Sequence, residues 1–538
     1  MPENLYGSQS FRFDPTTEAV FVTMPTGMQG IDGSGDLQAL AATSEGHLEV
    51  AIHDPLLPFG SLHTEKLTPI FQTDAVYGVN TSEVRTTTQT TGSVTGNSNL
   101  FTCSTGTTSG AFATLQSRRR LRYRPGQGVV ARFTAMWSAP VASSIVVAGI
   151  GSAESGLYFG YNGTAFGVLH SRGGVREIQT LTVTTASTAT NNYVVTLNNV
   201  AFTATATNNG STTKTAYEIA SGTYAGWTAT QRGATVVFLA NDVGNKTGAF
   251  SLAQTGAGTP AAGSYAETLA GGAASDTWIA QADWNGDKLN GTGTSGITLD
   301  PAKGNVFQIA VQYLGFGAIK FQVEVTPTGA NNPTFVTVHT IKSPNTRTTT
   351  TLTQPSFPFT MAAYSAGSTT NVSVSCASFA GFVEGDQKLI GPRMSYFDTS
   401  TAVTTGAYYA LLTVRNEYVY NGRANQAVVR LISVGAAHDD ATPVACHVIK
   451  NATLVGTPSF AAWSANSCTY VDTAATSCTI TSNEQIIFTM PIGASGSGLF
   501  AFNDEITLQP GETVTLAATA VTGTATYVLM TLNTREDQ

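Results

Sequence analysis

The chain has 538 residues, of which 26 are Lys or Arg and 34 Asp or Glu, so charged residues make up only 11% where roughly 25% is usual. A hydrophobic share of 42%, with 26 Phe and 18 Tyr, excludes a disordered chain, and a net charge of −8 argues against a nucleic-acid partner, which calls for a basic surface. No run approaches the ~18–20 apolar residues that cross a bilayer, so no membrane partner is expected.

Residues 1–80 read as an extended N-terminal arm for anchoring and assembly. They hold Pro15, Pro25, Pro55, Pro58 and Pro69 and little material for a core of their own. Leu48–His53 alternates like a strand, and Asp36–Thr43 is a weak helix candidate. Met1–Gly7 has neither a basic nor an apolar signal-peptide region, so export by the general secretory route is not expected. An arm without a core predicts packing against other subunits in a symmetric homo-oligomer, with a trimer favoured.

Residues 81–177 and 281–398 read as two halves of one central β-sandwich. Two hairpins carry this reading. Gly156–Tyr161 and Thr164–His170 flank Asn162-Gly163, a pair that suits a two-residue type I′ turn. Val306–Tyr313 and Ala318–Val325 flank Leu314–Gly317, and Ile319, Phe321, Val323 and Val325 alternate with Lys320, Gln322 and Glu324, so one wet face is expected.

Between the halves, residues 178–280 read as an inserted β-rich domain. It has its own apolar residues, and one short helix is predicted at Thr212–Ala220 with Gly222 just beyond it. Residues 399–538 alternate strand-like runs with turn clusters and read as a C-terminal jelly-roll-like sandwich. The predicted class is therefore mostly β and multi-domain.

Candidate chemistry is sparse. Gly493–Ser497 nearly matches a serine-hydrolase elbow but lacks its final glycine and its strand–turn–helix setting. His438, Asp439, Asp440, Cys446 and His447 form the densest group of potential metal ligands and read as a loop leading into a strand. Asp283 and Asp287 flank Trp284, a residue type that stacks on sugars. The five cysteines include no C-x-x-C and read as buried thiols, although Cys468 and Cys478 flank one hairpin. No catalytic residue, metal site or cofactor is assigned.

The exception to this sparseness is Arg118, Arg119, Arg120, Arg122 and Arg124. Five of the 26 basic residues fall within seven positions. Read as a strand, Leu121 and Tyr123 face one way and Arg120, Arg122 and Arg124 the other. These arginines are the candidates for docking an acidic partner surface or a nucleic acid, and the competing reading is a solvated strand face.

Several stretches resemble a family of virion structural proteins from tailed, especially marine, bacteriophages, with relatives in large DNA viruses. They are Glu49–Gly60, Thr68–Gln72 and Val76–Asn80, then Leu121–Gly126, Phe159–Thr164 and Tyr313–Ala318. The resemblance implies a non-enzymatic part of the particle, made in the host cytoplasm and bound to itself and to other virion proteins. Position on the particle (capsid surface, neck, baseplate or fibre) does not follow from it. The alternative expectation is a host-attachment spike that binds or depolymerises a surface glycan. The absence of short regular repeats in the sequence weighs against that.

Overall fold

The computed structural model describes residues 66–207, 209–386, 391–400, 402–502, 506–525 and 527–537, and the backbone of four short strands nearer the N-terminus. Two compact units result, residues 1–64 and 65–538. In the first, Ser10–Asp14 pairs with Ala19–Thr23, and Gln29–Ile31 pairs with Leu37–Ala39. The helix expected over Asp36–Thr43 is therefore a strand where it is described. The strand expected at Leu48–His53 lies outside the described residues.

The second unit is mostly β, as its composition and alternation predict. A nine-stranded and a seven-stranded antiparallel sheet make up the central sandwich. In the first, Val129–Trp137 lies between Asn305–Val311 on one side and Ser373–Cys376 and Ser378–Glu384 on the other. In the second, Ser144–Gly151 lies between Gly156–Asn162 and Phe359–Ser365. The inward residues make one aromatic core. Phe133, Phe159, Phe307, Phe321 and Phe359 are buried in it, and Phe359 stacks on Phe379 at 4.1 Å.

Both predicted hairpins form. In the first, Asn162 pairs with Ala165, so the turn residues are Gly163 and Thr164 and only Gly163 has positive φ. This suits a type II′ turn shifted one residue from the predicted one. In the second, Ile319, Phe321 and Val323 are buried as expected. The opposite face is drier than predicted, because Gln322 is buried and accepts a 2.6 Å hydrogen bond from the Gln308 amide across the sheet.

The domain boundaries move. Leu67–Asp74 pairs with Ser378–Glu384, so the end of the predicted arm is an edge strand of the sandwich. Ser275–Ala280 pairs with Ala165–Arg172 and also belongs to the sandwich. The inserted body instead starts at Arg176 and closes where Val175 and Gly272 exchange hydrogen bonds at 2.9 Å. It contains a four-stranded and a three-stranded sheet around Tyr193, Ile219, Phe238 and Trp227. The helix Thr212–Ala220 forms as predicted, with the Ser211 hydroxyl accepting from the Lys214 N–H. Arg393–Ser400 pairs with Val528–Asp537, so the C-terminal sandwich begins before residue 399. Its two sheets have five and six strands and enclose their own core.

One buried titratable group ties the central sandwich to pH. His170 is 2% exposed, and its Nε2 donates to the Thr351 carbonyl at 2.9 Å. Burial, aided by Arg347 and Arg172 and opposed by the Thr351 bond, pushes its pKa from 6.5 down to about 4. Between these values the unfolded chain carries a proton that the folded chain refuses. Stability from this group is therefore full above pH 6.5 and falls as pH drops toward 4, by up to about 3 kcal/mol. Denaturant melts of wild type and His170→Gln across this range check the expectation. The variant's stability is expected to depend less on pH, and equal slopes would refute the assignment.

Candidate docking site

The arginine segment begins where the strand Phe112–Ser117 ends. It does not continue as a strand. The Ser117 hydroxyl donates to the Arg119 carbonyl and accepts from the Phe359 N–H, which turns the chain. Leu121 is fully buried and bridges Phe357 through both backbone bonds, at 2.7 and 2.9 Å. Pro125-Gly126 then reverses the chain, with Gln127 N–H donating to the Arg124 carbonyl. Leu121 is thus a plug that fixes the guanidiniums on either side of it.

These guanidiniums reach the chain's own carboxylates, so the expected open strand face is corrected. Arg118 donates to the Thr81 carbonyl and pairs with Glu512 at 3.5 Å. Arg124 Nη2 lies 3.1 Å from both carboxylate oxygens of Asp537. Arg122 Nε lies 3.4 Å from the same carboxylate, and its Nη1 donates to the Asp537 carbonyl. The side chains of Arg122 and Arg124 are only 14% exposed and that of Asp537 8%. Burial lowers the Arg122 pKa, Asp537 opposes the shift, and Arg124 and Arg430 add to it.

Arg120 turns elsewhere. The residue keeps some surface, but its Nη1 is buried. Burial brings its pKa down to about 10, with Glu154 opposing and Arg176 and Arg85 adding to the shift, so it stays charged at neutral pH. Glu154 accepts from Arg176 at 2.5 Å and from the Ser152 hydroxyl at 2.6 Å. Burial alone would raise its carboxyl; Arg176, Ser152 and Arg120 outweigh that and hold it below the usual carboxylate range. Arg119 is exposed.

The inserted body meets the C-terminal sandwich by the same chemistry. Arg232 pairs with the buried Glu417 at 3.3 Å and donates to the Val419 carbonyl at 2.6 Å. Arg415 donates to Glu417 at 2.6 Å and to the Gln231 carbonyl at 2.5 Å, with Phe460 under its guanidinium at 3.9 Å. Beside these pairs, Ile178, Val237 and Leu239 pack on Val419. Glu417, Glu512 and Asp537 of the C-terminal sandwich therefore each receive an arginine from another body. Spacing along the chain carries no sign of this, since the partners stand 185, 394 and 413 positions apart.

A cleft of about 460 Å³ opens along the seam beside Arg85, Arg118, Tyr418 and Glu512. The other candidates have structural partners. Trp284 is 2% exposed and packs edge-on to Phe159 and Phe166, so it offers no sugar platform. Asp287 accepts from the Leu289 and Ser295 N–H groups and organises a loop. His438 Nδ1 contacts the Tyr527 carbonyl at 2.6 Å, and His447 Nδ1 contacts the Thr489 hydroxyl at 2.9 Å. All five cysteines are free and buried, with the Cys446 thiol pushed up to about 12 by burial. The chain matches no family model and no curated protein.

Proposed function

We propose that the chain is a structural protein of a virus particle, acting by assembly with copies of itself and with other particle proteins. One observation carries this reading. On the outer face of the C-terminal sandwich, Phe397, Thr531, Gly435 and Leu499 lie side by side across four strands, with Phe397 62% and Leu499 75% exposed. Large apolar side chains flanking a low centre, without a charge in the row, make a surface suited to burial against a protein. The buried arginine–carboxylate pairs, meanwhile, fix the bodies behind that face. The resemblance of the quoted sequence stretches to virion proteins supplies the setting.

The test is immunogold labelling of particles released by cells that naturally make the chain. Label on the particles, at a regular position, is expected. Label that stays entirely with soluble protein after the particles are pelleted would refute the reading.

A further inference from the structure

We infer that the edge strand Ser497–Ala501 is a self-pairing site, where two copies of the chain join their sheets antiparallel about a two-fold axis centred on Leu499. This sharpens the assembly reading by naming a surface.

The strand pairs on one side with Val428–His438. Phe502 N–H donates to the Ile432 carbonyl at 2.8 Å, and the Gly496 carbonyl accepts from the His438 N–H at 2.9 Å. Peptide groups of even-numbered residues thus face the sheet. Alternation turns the N–H and C=O of Ser497, Leu499 and Ala501 to the open side. Ser497, Leu499, Phe500 and Ala501 are all exposed.

Native edge strands are normally guarded by charge, proline or a bulge. The same sandwich shows such guards on two other edges: Arg393 and Asp398 on Arg393–Ser400, and Pro491 on Ile486–Ile492. Residues 492–502 contain no charge and no proline, and the strand keeps regular register with its neighbour.

The sequence of the strand fits itself. Antiparallel pairing about Leu499 opposes Leu499 to its copy, Ser497 to Ala501, and Gly498 to Phe500. The outward-facing peptide groups then form hydrogen-bonded pairs, about six bonds in all. The Gly498–Phe500 pairs fall at the closer, non-hydrogen-bonded positions. Gly498 brings no side chain of its own to these positions, and Met490 of the same chain fills the space beside it, with Sδ 2.7 Å from where a Cβ would stand. Phe500 is already set on the inner side of its sheet, stacked on Phe488 at 4.4 Å. No like charges meet in this register, so a second copy fits where a charged partner would find nothing to pair with. The symmetry is two-fold, unlike the trimer expected from the sequence.

The test uses the full chain. All five native cysteines are buried, so a single exposed cysteine reports cleanly. Across a hydrogen-bonded antiparallel pair the two Cα atoms at position 499 lie about 5.5 Å apart, within disulfide range. Leu499→Cys is expected to form a covalent dimer under mild oxidant at tens of micromolar protein. Ser395→Cys, exposed on the opposite edge strand, is expected to give no covalent dimer. Light scattering is expected to show a wild-type dimer, and Leu499→Lys, which sets two like charges face to face, to weaken it about tenfold or more with an unchanged melt. A wild-type monomer throughout, cross-linking no faster at 499 than at 395, or an oligomer in which 499 does not cross-link would each overturn the site. Particle labelling is read separately, so either proposal can fail without the other.

Discussion

Asp537→Asn is expected to be among the most damaging single substitutions in the chain, although it changes one atom. Arg124 Nη2 sits 3.1 Å from both oxygens of the Asp537 carboxylate, and Arg122 Nε lies 3.4 Å away. All three side chains are largely withdrawn from water. Neutralising the acid leaves two guanidiniums close together with their countercharge gone. Breaking a buried pair from one side costs about 3–5 kcal/mol, well above the ~0–1 kcal/mol of an exposed pair. We expect the lower figure, about 3 kcal/mol, because some water reaches both arginines. Calorimetry is expected to show the C-terminal sandwich melting earlier, since the substitution unpins the end of the strand Val528–Asp537.

The same geometry predicts that Arg122→Met, Arg124→Met and Asp537→Leu together recover most of the loss, because no charge is then buried alone. The triple change Arg120, Arg122 and Arg124→Gln is in turn expected to destabilise the fold. On an open strand face it would be nearly silent. An Asp537→Asn melt within 0.5 kcal/mol of wild type, the scatter of ordinary surface changes, would return the cluster to the surface class.

The reasons for the misreading are physical. Alternation reports which residues share a face only while the backbone stays extended. At Ser117 a hydroxyl takes the place of a ladder partner, and the period is lost over Arg118–Arg124. The concentration of arginine was legible, and so was its need for acids; the acids were not, since they come from strands hundreds of residues away. Local signals survived where local physics decides the outcome. The helix Thr212–Ala220 needed only its Ser211 cap and one apolar side, and the hairpin Ile319–Val325 only its alternation. Trp284 shows the converse. Its type suits a sugar platform, but packing against Phe159 and Phe166 claims the ring first. The boundary at Ser275–Ala280 failed because an edge strand whose six residues are all exposed or half-exposed has the texture of the insertion it follows.

Excision of the inserted body is expected to leave the central sandwich folded and the C-terminal sandwich crippled. The cut that respects the structure replaces residues 177–271 with a short linker, because Val175 and Gly272 already exchange hydrogen bonds at 2.9 Å and Arg176 then stays on the buried Glu154. Cutting Leu181–Ala280 instead would remove the strand Ser275–Ala280 and uncover Val168 and Leu169, its partners in the sandwich, so that deletion is expected to aggregate. With the better cut, the central core around Phe133, Phe159 and Phe307 is untouched. The C-terminal sandwich, however, loses the cover of Ile178, Val237 and Leu239 over Val419. Val419 contributes about 1.5–3 kcal/mol when fully buried, so uncovering it, with the half-buried Tyr418 and Ala424 beside it, costs about that much. It also loses the Gln231 bonds to Pro458, Phe460 and Arg415, and the buried Glu417 keeps Arg415 but not Arg232. The excised body, with Tyr193, Ile219, Phe238 and Trp227 in a core of its own, is expected to give dispersed amide signals alone. Calorimetry of the deleted chain is expected to show the C-terminal transition shifted down, with dye binding to newly exposed apolar surface and the central transition near its wild-type position. A deleted chain that melts as wild type would make the insertion a passenger. An excised body without dispersed signals would show that its core needs the Val419 face as much as Val419 needs it.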